Sequence, residues 1–561
     1  MILRISIVLG LLVAIVAAPF LLRPKEKADR LLIGGTERVV IITPHNESIQ
    51  TEFGRGFKHH MKQKYDREVY IDWRVPGGTS EIARFLKSEY TIRFEQLWEN
   101  KTGLPFKEVR DAFSNRKVQP LDEAAQQSWI DDPTLLNRED SEIRQRAART
   151  MFLSSDIGVG IDMFFGGGAY DFTRQAQAGN LVGEDASGKF GPAALNREHP
   201  DWFSDEIMPE MVSGEPFRDP EFRWVGTVLS SFGITYNTDV LKRLGIKKDL
   251  TQWEDLVDPR LAGQIALADP TKSGSTTKAL EMLIQEQILK TIRENPELPE
   301  DKAVRKGWDR ALLMLLKISS NARYFTDSAT KVPHDVAQGD AAAGMSIDFY
   351  GRTYNELHKH EDGSSRVQFV MPRGGTSIGA DPIGMLRGAP NPELTHKFIE
   401  FVLSSEGQRL WNYRPGSKGG PARFALRRPP IRRDFYTAEN EANMTDPDVN
   451  PYEIAKDFTY HGEWTGALFT PLRFIIRCAC VETHEEQRKA WEALIEAGMP
   501  ADALAEFEDL EMMSYDRVLS DIAPVLNAKD KVAEVELARE LAGVFRDKYK
   551  RVRKMARAHS P

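Results

Sequence analysis

Serines, threonines and a glycine stand directly ahead of a helical pattern in the segment 267–283, LADPTKSGSTTKALEML. A nucleotide-binding Walker loop has the pattern GxxxxGK followed by Ser or Thr, because its backbone amides wrap the phosphates while the lysine reaches the outer ones. Here Lys272 precedes Gly274, and Lys278 follows Thr277, so this pattern is not matched. The segment therefore does not predict an ATP site.

The same segment predicts a helix start that is rich in hydrogen-bond donors. Ser273 or Ser275 can cap the helix, and Gly274 and Thr276 add backbone or hydroxyl donors beside them. The buried stripe of the helix is expected at Leu280, Leu283, Ile284 and Ile288. Helix N-termini attract anions through their free N–H groups, although a plain capped helix would explain the same residues.

Other polar turns follow predicted strands nearer the start of the chain. His45, Asn46 and Glu47 come after the first strand and are candidates for ligand contact. The alternative is that Asn46 or Ser48 only caps the helix that follows. Glycines let backbone amides approach an anion closely. Two turns contain glycines that could serve this purpose. The turn after the second strand holds Gly77, Gly78, Thr79 and Ser80, and the turn after the third holds Gly166, Gly167 and Gly168.

These turns are positioned by alternating strand and helix patterns. Predicted strands RVVIIT (38–43), VYIDWRV (69–75) and SSDIGVGIDMFFGGG (154–168) alternate with amphipathic helices, which indicates a parallel sheet with crossover helices. A second group of strands begins near residue 223. The 91–150 segment is too long for a simple crossover and is interpreted as a helical insertion. Beyond about residue 430 the pattern is charged and mainly helical.

Length and charge limit the possible functions. A chain of 561 residues predicts two or three compact units. The formal net charge of -8 and the pI near 5.9 argue against a nucleic-acid partner, because such proteins usually carry a basic field. Cys478 and Cys480, spaced CxC, give neither a disulfide framework nor a four-ligand zinc site, so two small buried residues are expected.

The N-terminus contains an apolar run from Ile5 to Leu22, long enough to enter a bilayer as a helix. Residues 1–30 are therefore predicted to be a signal anchor or a signal peptide. Pro19 directly follows Ala17-Ala18 and disfavours cleavage there, which favours an uncleaved anchor. The basic residues just after the run would favour the cytoplasmic side, so these flanks do not support an extracytoplasmic orientation.

Several motifs, taken together and in order, resemble the periplasmic solute-binding proteins of ABC transporters. The similarity is to the branch that includes ferric-ion, thiamine and hexose-phosphate binders. It covers roughly residues 38–425, apart from the insertion. The segments that carry it are TPHNE (43–47), PGGTSEIARFLKSE (76–89), DIGVGIDMFFGGGAYDF (156–172), FRWVGTVLSSFGITYNTDVL (222–241), LADPTKSGSTTKALEML (267–283) and GAPNPELTHKFIEFVLSSEGQ (388–408).

The resemblance implies an α/β protein of the type II periplasmic-binding-protein fold. Two lobes would grip a solute in the cleft between them, and ATP hydrolysis would belong to a separate subunit. The predicted lobes are 36–230 with 350–430, and 231–349, followed by a helical extension over 431–561. The implied partners are a small solute, an ABC permease and the membrane, in an extracytoplasmic or periplasmic location; no cofactor and no enzymatic activity are expected.

The resemblance also raises the question of metal binding. In the ferric binders two adjacent tyrosines typically hold the metal at the place that SIDFYGR (346–352) occupies here, but this chain has Phe349 and Tyr350. We therefore expect no metal. If iron does bind, His45, Glu47 and Tyr350 are the expected ligands.

An organic ligand is the favoured alternative to iron. Asp348, Tyr350 and Asp381 would then accept or donate hydrogen bonds, since a buried carboxylate needs such partners. The solute is expected to be a small anion, bound mainly by amides and hydroxyls. An enzyme or a ligand-sensing protein on the same fold remains open because the insertion and the extension exceed what a minimal receptor needs.

Overall fold

The structure, a computed structural model, describes residues 37–122, 140–528 and 530–559. The predicted signal anchor or signal peptide at 1–30 lies outside the described residues. The strands are β1 Glu37–Ile42, β2 Val69–Arg74, β3 Met163–Phe165, β4 Leu181–Val182, β5 Met211–Val212, β6 Glu215–Pro216, β7 Val225–Ser230, β8 Phe232–Asn237, β9 Ile265–Ala268, β10 Ala322–Thr326, β11 Ala343–Ile347, β12 Val367–Val370 and β13 Gly379–Leu386.

Most helices up to residue 412 lie between these strands in chain order. They are α1 Glu47–Tyr65, α2 Thr79–Thr102, α3 Ser141–Ser154, α4 Ala169–Ala178, α5 Pro192–Glu198, α6 Thr238–Arg243, α7 Gly274–Glu294, α8 Glu300–Asn321, α9 Lys331–Gln338, α10 Asp348–Leu357, α11 Pro392–Leu403 and α12 Ser405–Asn412.

The C-terminal part is helical, as predicted. Its helices are α13 Ala438–Glu441, α14 Pro451–Ile454, α15 Gly462–Thr465, α16 Phe469–Ile476, α17 His484–Glu496, α18 Ala501–Glu508, α19 Tyr515–Arg517, α20 Ala523–Asn527 and α21 Lys531–Ala558.

Two mixed sheets share one strand order. The first runs β2-β1-β3-β13-β4, with β7 paired to β13, and the second runs β10-β9-β11-β8-β12. In each sheet three parallel strands are followed by an antiparallel strand that enters from the other lobe, β13 in the first and β8 in the second. Two α/β lobes joined by two crossings are the predicted type II fold, which is confirmed.

The two crossings define the lobes. The first lies at Ser231, between β7 and β8, at the predicted boundary. The predicted return at residue 350 is too early, because β12 pairs with β8 of the second sheet. The chain returns between Val370 and Gly379, so α10 and β12 belong to the second lobe.

The first lobe has a core on each face of its sheet. One face is covered by α1, α11 and α12, and Ile49, Phe53, Phe57 and Met61 of α1 are buried there. The other face is covered by α2, α3 and α4. Helix α2 continues without a break to Thr102, so the inserted part starts later than the predicted residue 91. Phe106 and Phe113, which follow α2, join this second core.

The C-terminal extension begins on the first lobe, where Ile431 and Ala455 join the core, and from Phe458 onwards it packs on the second lobe. Apolar residues from α16, α17, α18 and α21 form one continuous core with those of α7 and α8. Cys478 and Cys480 are fully buried free thiols in this core, which confirms their predicted packing role. The segment Gly462–Val481 could cross a membrane by length and composition alone, but 67% of its apolar window is buried in the fold, as in a core helix.

Candidate functional site

A cavity of about 830 Å³ lies between the two lobes. The first lobe lines it with the turns after β1, β2 and β3, and the second with the start of α7 and with α10. Strand β13 and residues of the C-terminal extension complete the lining. The cavity therefore lies beyond the carboxyl ends of strands, where ligands bind in open α/β sheets.

A buried cluster of three side chains lies at the first-lobe side of the cavity. The guanidinium of Arg428 pairs with the carboxylate of Asp381, and His45 Nε2 lies 3.5 Å from Asp381 Oδ2. The Arg428 guanidinium also stacks over the rings of Phe349 and Trp411, at 4.5 and 5.3 Å from their centroids. Arg428 is only 1% exposed, so the ion pair is largely shielded from water.

The environment of this cluster determines its protonation. Burial lowers the pKa of His45, and the carboxylate of Asp381 only partly opposes this, which favours the neutral imidazole. Burial alone would raise the pKa of Asp381, but Arg428 and the hydrogen bond with His45 outweigh it and lower the pKa. The cluster thus contributes one paired anion and one paired cation, with little net charge.

Glycines allow the turns of the first lobe to approach one another. A Cβ built on Gly166, where φ is +90°, would lie 2.3 Å from His45 Nε2. A Cβ on Gly167, where φ is +129°, would lie 2.7 Å from Thr79 Cγ2. Any side chain at these two positions would collide with a cavity residue, so both glycines are required by the geometry.

Helices α2, α4 and α7 are among those that begin at the cavity. Helices α2 and α4 begin after Gly78 and Gly168, which have no side chain to cap the first N–H groups. In α7 the hydroxyl oxygen of Ser273 accepts a hydrogen bond from the Thr276 N–H at 3.2 Å, leaving other first-turn amides without this cap. Helices from both lobes therefore direct backbone N–H groups and positive dipole ends towards the cavity.

A second charged cluster lies where both lobes meet the C-terminal extension. Lys278 Nζ is 2.8 Å from Glu215 of the first lobe and 3.1 Å from Glu281 of α7. The same ammonium lies 3.7 Å from the ring centroid of Tyr460, whose hydroxyl donates to Glu281 at 2.9 Å. Burial opposes the charge of Lys278, but the two carboxylates outweigh it and raise its pKa.

Most of the predicted site residues line this cavity. Those that do are His45, Asn46, Gly78, Thr79, Gly167, Ser273, Gly274, Ser275, Tyr350 and Asp381. Four others lie outside the lining. Glu47 is exposed on α1, Thr276 is buried in α7, and Asp348 is paired with Arg352. Ser80 accepts a hydrogen bond from Arg473.

The expected iron ligands do not come together. His45 and Tyr350 line the cavity, but Glu47 does not. Burial raises the pKa of Tyr350 to about 12, which disfavours the phenolate that would bind Fe(III). Within 37–122, 140–528 and 530–559, no group of three or more His, Cys, Asp or Glu side chains is placed to hold a metal ion.

Sequence reasoning missed the residues that come from distant segments. Arg428 is 383 residues from His45, and Lys278 pairs with Glu215 across the two lobes. The sequence shows that Arg428 and Glu215 are charged, but neither belongs to a local motif that would place it at the cleft. Tyr460 belongs to a part of the chain that the family resemblance did not cover.

Part of this chain matches a known protein family. Residues 199–421 match the family described as bacterial extracellular solute-binding protein. The predicted resemblance to extracellular solute-binding proteins is confirmed. The match covers both crossings, residues 231–370 of the second lobe and part of the first lobe. It includes the start of α7 in the second lobe and Asp381 on β13. The C-terminal extension lies outside it.

Curated relatives match less than half of the chain. An uncharacterized protein of Haemophilus influenzae is 27% identical over 253 residues, which is 44% of this chain and 60% of the relative. A putrescine/agmatine-binding protein of Pseudomonas aeruginosa is 22% identical over 246 residues, 42% of this chain and 64% of the relative. The chain thus spans less than two thirds of the length of the curated relatives it matches.

Solved structures align with a larger share of the chain, at low identity. The periplasmic binding protein AfuA from Actinobacillus pleuropneumoniae, with fructose-6-phosphate bound, is 19% identical with a TM-score of 0.42, covering 72% of this chain and 86% of its own. Iron-bound HitA from Pseudomonas aeruginosa is 13% identical with a TM-score of 0.44, covering 78% of this chain and 98% of its own.

Proposed function

We propose that this protein is an extracytoplasmic solute-binding receptor that captures a small solute between its lobes and delivers it to an ABC permease. The observation that carries this proposal is the interlobe cavity, into which helix starts of both lobes converge. A cavity of about 830 Å³ falls within the range of about 300–1,000 Å³ for small-molecule sites. Closure about the two crossings would bury the solute without any chemical step.

The solute is proposed to be a small organic anion. Its charged group would lie against the starts of α2, α4 and α7, because their amides and dipoles favour negative charge. The hydroxyl of Thr79 would add a donor. The ion pair of Arg428 with Asp381 would orient polar groups of the solute rather than supply a free charge.

Native mass spectrometry of the full chain, purified gently in detergent, tests the receptor proposal. One small molecule per chain, released on denaturation, is the expected result. A chain that carries no solute and shows no thermal shift with sugar phosphates, carboxylates or polyamines would contradict the receptor function. Turnover of the bound molecule would favour an enzyme instead.

The anionic nature of the solute is tested with a matched pair of variants on α2. Thr79→Ala removes a cavity hydroxyl, whereas Ser88→Ala removes an exposed hydroxyl from the same helix. A hydrogen bond to a charged group contributes about 1.5–3 kcal/mol, so Thr79→Ala should weaken binding of a sugar phosphate about 10- to 100-fold in calorimetry. Equal affinities for both variants would contradict this placement of the anion.

A further inference from the structure

The C-terminal extension forms a third wall of the solute cavity. Tyr460, Gly466 and Phe469 line it together with residues of the two lobes. All three lie outside residues 199–421, the part that matches the solute-binding family. The extension therefore contributes directly to the site, through residues that lie outside the family match.

Hydrogen bonds and core packing attach this wall to the second lobe. Gln285 of α7 donates to the carbonyl oxygen of His461 at 2.7 Å and to the hydroxyl of Thr465 at 2.8 Å. The Thr465 hydroxyl in turn donates to Glu281 at 2.7 Å. Apolar residues of α16 enter the core of the second lobe, so the wall is packed as part of that lobe.

The same wall also contacts the first lobe. Phe469 packs against Tyr170 of α4 with ring centroids 4.4 Å apart, and the Tyr170 hydroxyl lies 3.2 Å from that of Thr470. Arg473 donates to Ser80 of α2 at 3.3 Å and to Thr277 of α7 at 2.8 Å. Tyr170 and Phe469 therefore form an aromatic pair across the edge of the cleft.

The lining of the cavity combines two kinds of groups. The starts of α2, α4 and α7 supply hydrogen-bond donors, whereas Phe469 and Tyr170 present aromatic rings. A bare inorganic anion would use only the donors and would leave most of an 830 Å³ cavity to water. Aromatic rings gain most from contact with another ring or an apolar face.

We propose that Phe469 and Tyr170 form a subsite for the apolar or ring-containing body of an organic anion. The extension then determines which anion is bound, while the helix starts bind its charged group. This inference rests on the proposed receptor function. It adds that the extension selects the solute through its apolar or ring-containing part.

Calorimetry with two probes, phenyl phosphate and inorganic phosphate, tests the subsite. Phenyl phosphate should bind the wild-type chain more tightly than inorganic phosphate. Phe469→Leu should weaken phenyl phosphate about 3- to 10-fold, the effect of losing one aromatic pair, and leave inorganic phosphate unchanged. The control Phe474→Leu, on the same helix but in the core of the second lobe, should change neither affinity.

The possible outcomes separate the inference from the receptor proposal. Equal weakening of both probes by Phe469→Leu, or no weakening of phenyl phosphate, would overturn the subsite while leaving the receptor intact. Failure of the wild-type chain to bind either probe would refute the anionic solute and with it the subsite. Tyr170→Leu, on the other lobe, must reproduce the selective loss, which guards against misfolding of a single variant.

Discussion

Replacement of Arg428 by methionine tests the buried ion pair at the cleft. The variant keeps a long apolar side chain over Phe349 and Trp411 but leaves Asp381 without its cation. Removing one partner of a buried ion pair costs about 3–5 kcal/mol, because the remaining charge stays desolvated. The Asp381 side chain is 16% exposed, so we expect the lower end, about 3 kcal/mol in the free energy of unfolding.

The assay is urea unfolding at pH 7, followed by tryptophan fluorescence, with two comparisons. Arg423→Met, an exposed position in the same segment, should change stability by no more than about 0.5 kcal/mol. The double variant Arg428→Met with Asp381→Asn removes both charges and should be more stable than the sum of the single effects predicts. Additive effects, or a loss no larger than that of Arg423→Met, would refute this account of the cluster.

The pH dependence of the loss provides a second check. In the wild-type chain the lowered pKa of Asp381 adds stability that is present above the unfolded pKa of about 3.9 and is lost as pH falls through the folded value. In Arg428→Met the burial of Asp381 acts with less compensation, so its pKa rises relative to the wild type. The difference in stability should therefore be largest at neutral pH and shrink towards pH 4.

Three further substitutions test other parts of the cleft. Asn46→Ala removes the side-chain cap of α1 and should cost about 0.5–2 kcal/mol in thermal or urea unfolding; no change would contradict the capping role. Lys278→Met leaves Glu215 and Glu281 facing each other and should cost about 3 kcal/mol or more in the same assay, whereas a stable variant would mean that water replaces the ammonium. Arg473→Met removes a bridge of about 1 kcal/mol between α2 and α7, so the solute-free chain should open and its radius of gyration in X-ray scattering should increase. An unchanged radius would show that this bridge does not hold the lobes together.

Local patterns predicted the elements and several contacts of the cleft. Asn46 and Ser273 cap α1 and α7, as their positions before amphipathic stripes indicated. The glycines after β3 were expected where the chain needs conformations that other residues rarely adopt, and Gly166 and Gly167 have positive φ and lie against the side chains of His45 and Thr79. These predictions succeeded because capping, strand patterns and positive φ depend on a few neighbouring residues.

Placement across the chain was harder to predict. The second lobe continues to Val370, because β12 pairs with β8. This pairing joins strands that are far apart in the sequence, and local hydrophobicity does not predict it. The extension was predicted to be helical, but nothing in its periodicity showed that its apolar faces would merge with the core of the second lobe.

The sequence by itself thus determined the helices, their caps, the glycine turns and the resemblance to solute-binding proteins. Only the tertiary structure decided that Arg428 neutralises Asp381 and that Tyr460 and Phe469 form a wall of the cavity. The physical reason is that a charge or a ring acts on whatever lies within a few ångströms in space. Chain separation carries no information about that distance once the lobes have folded together.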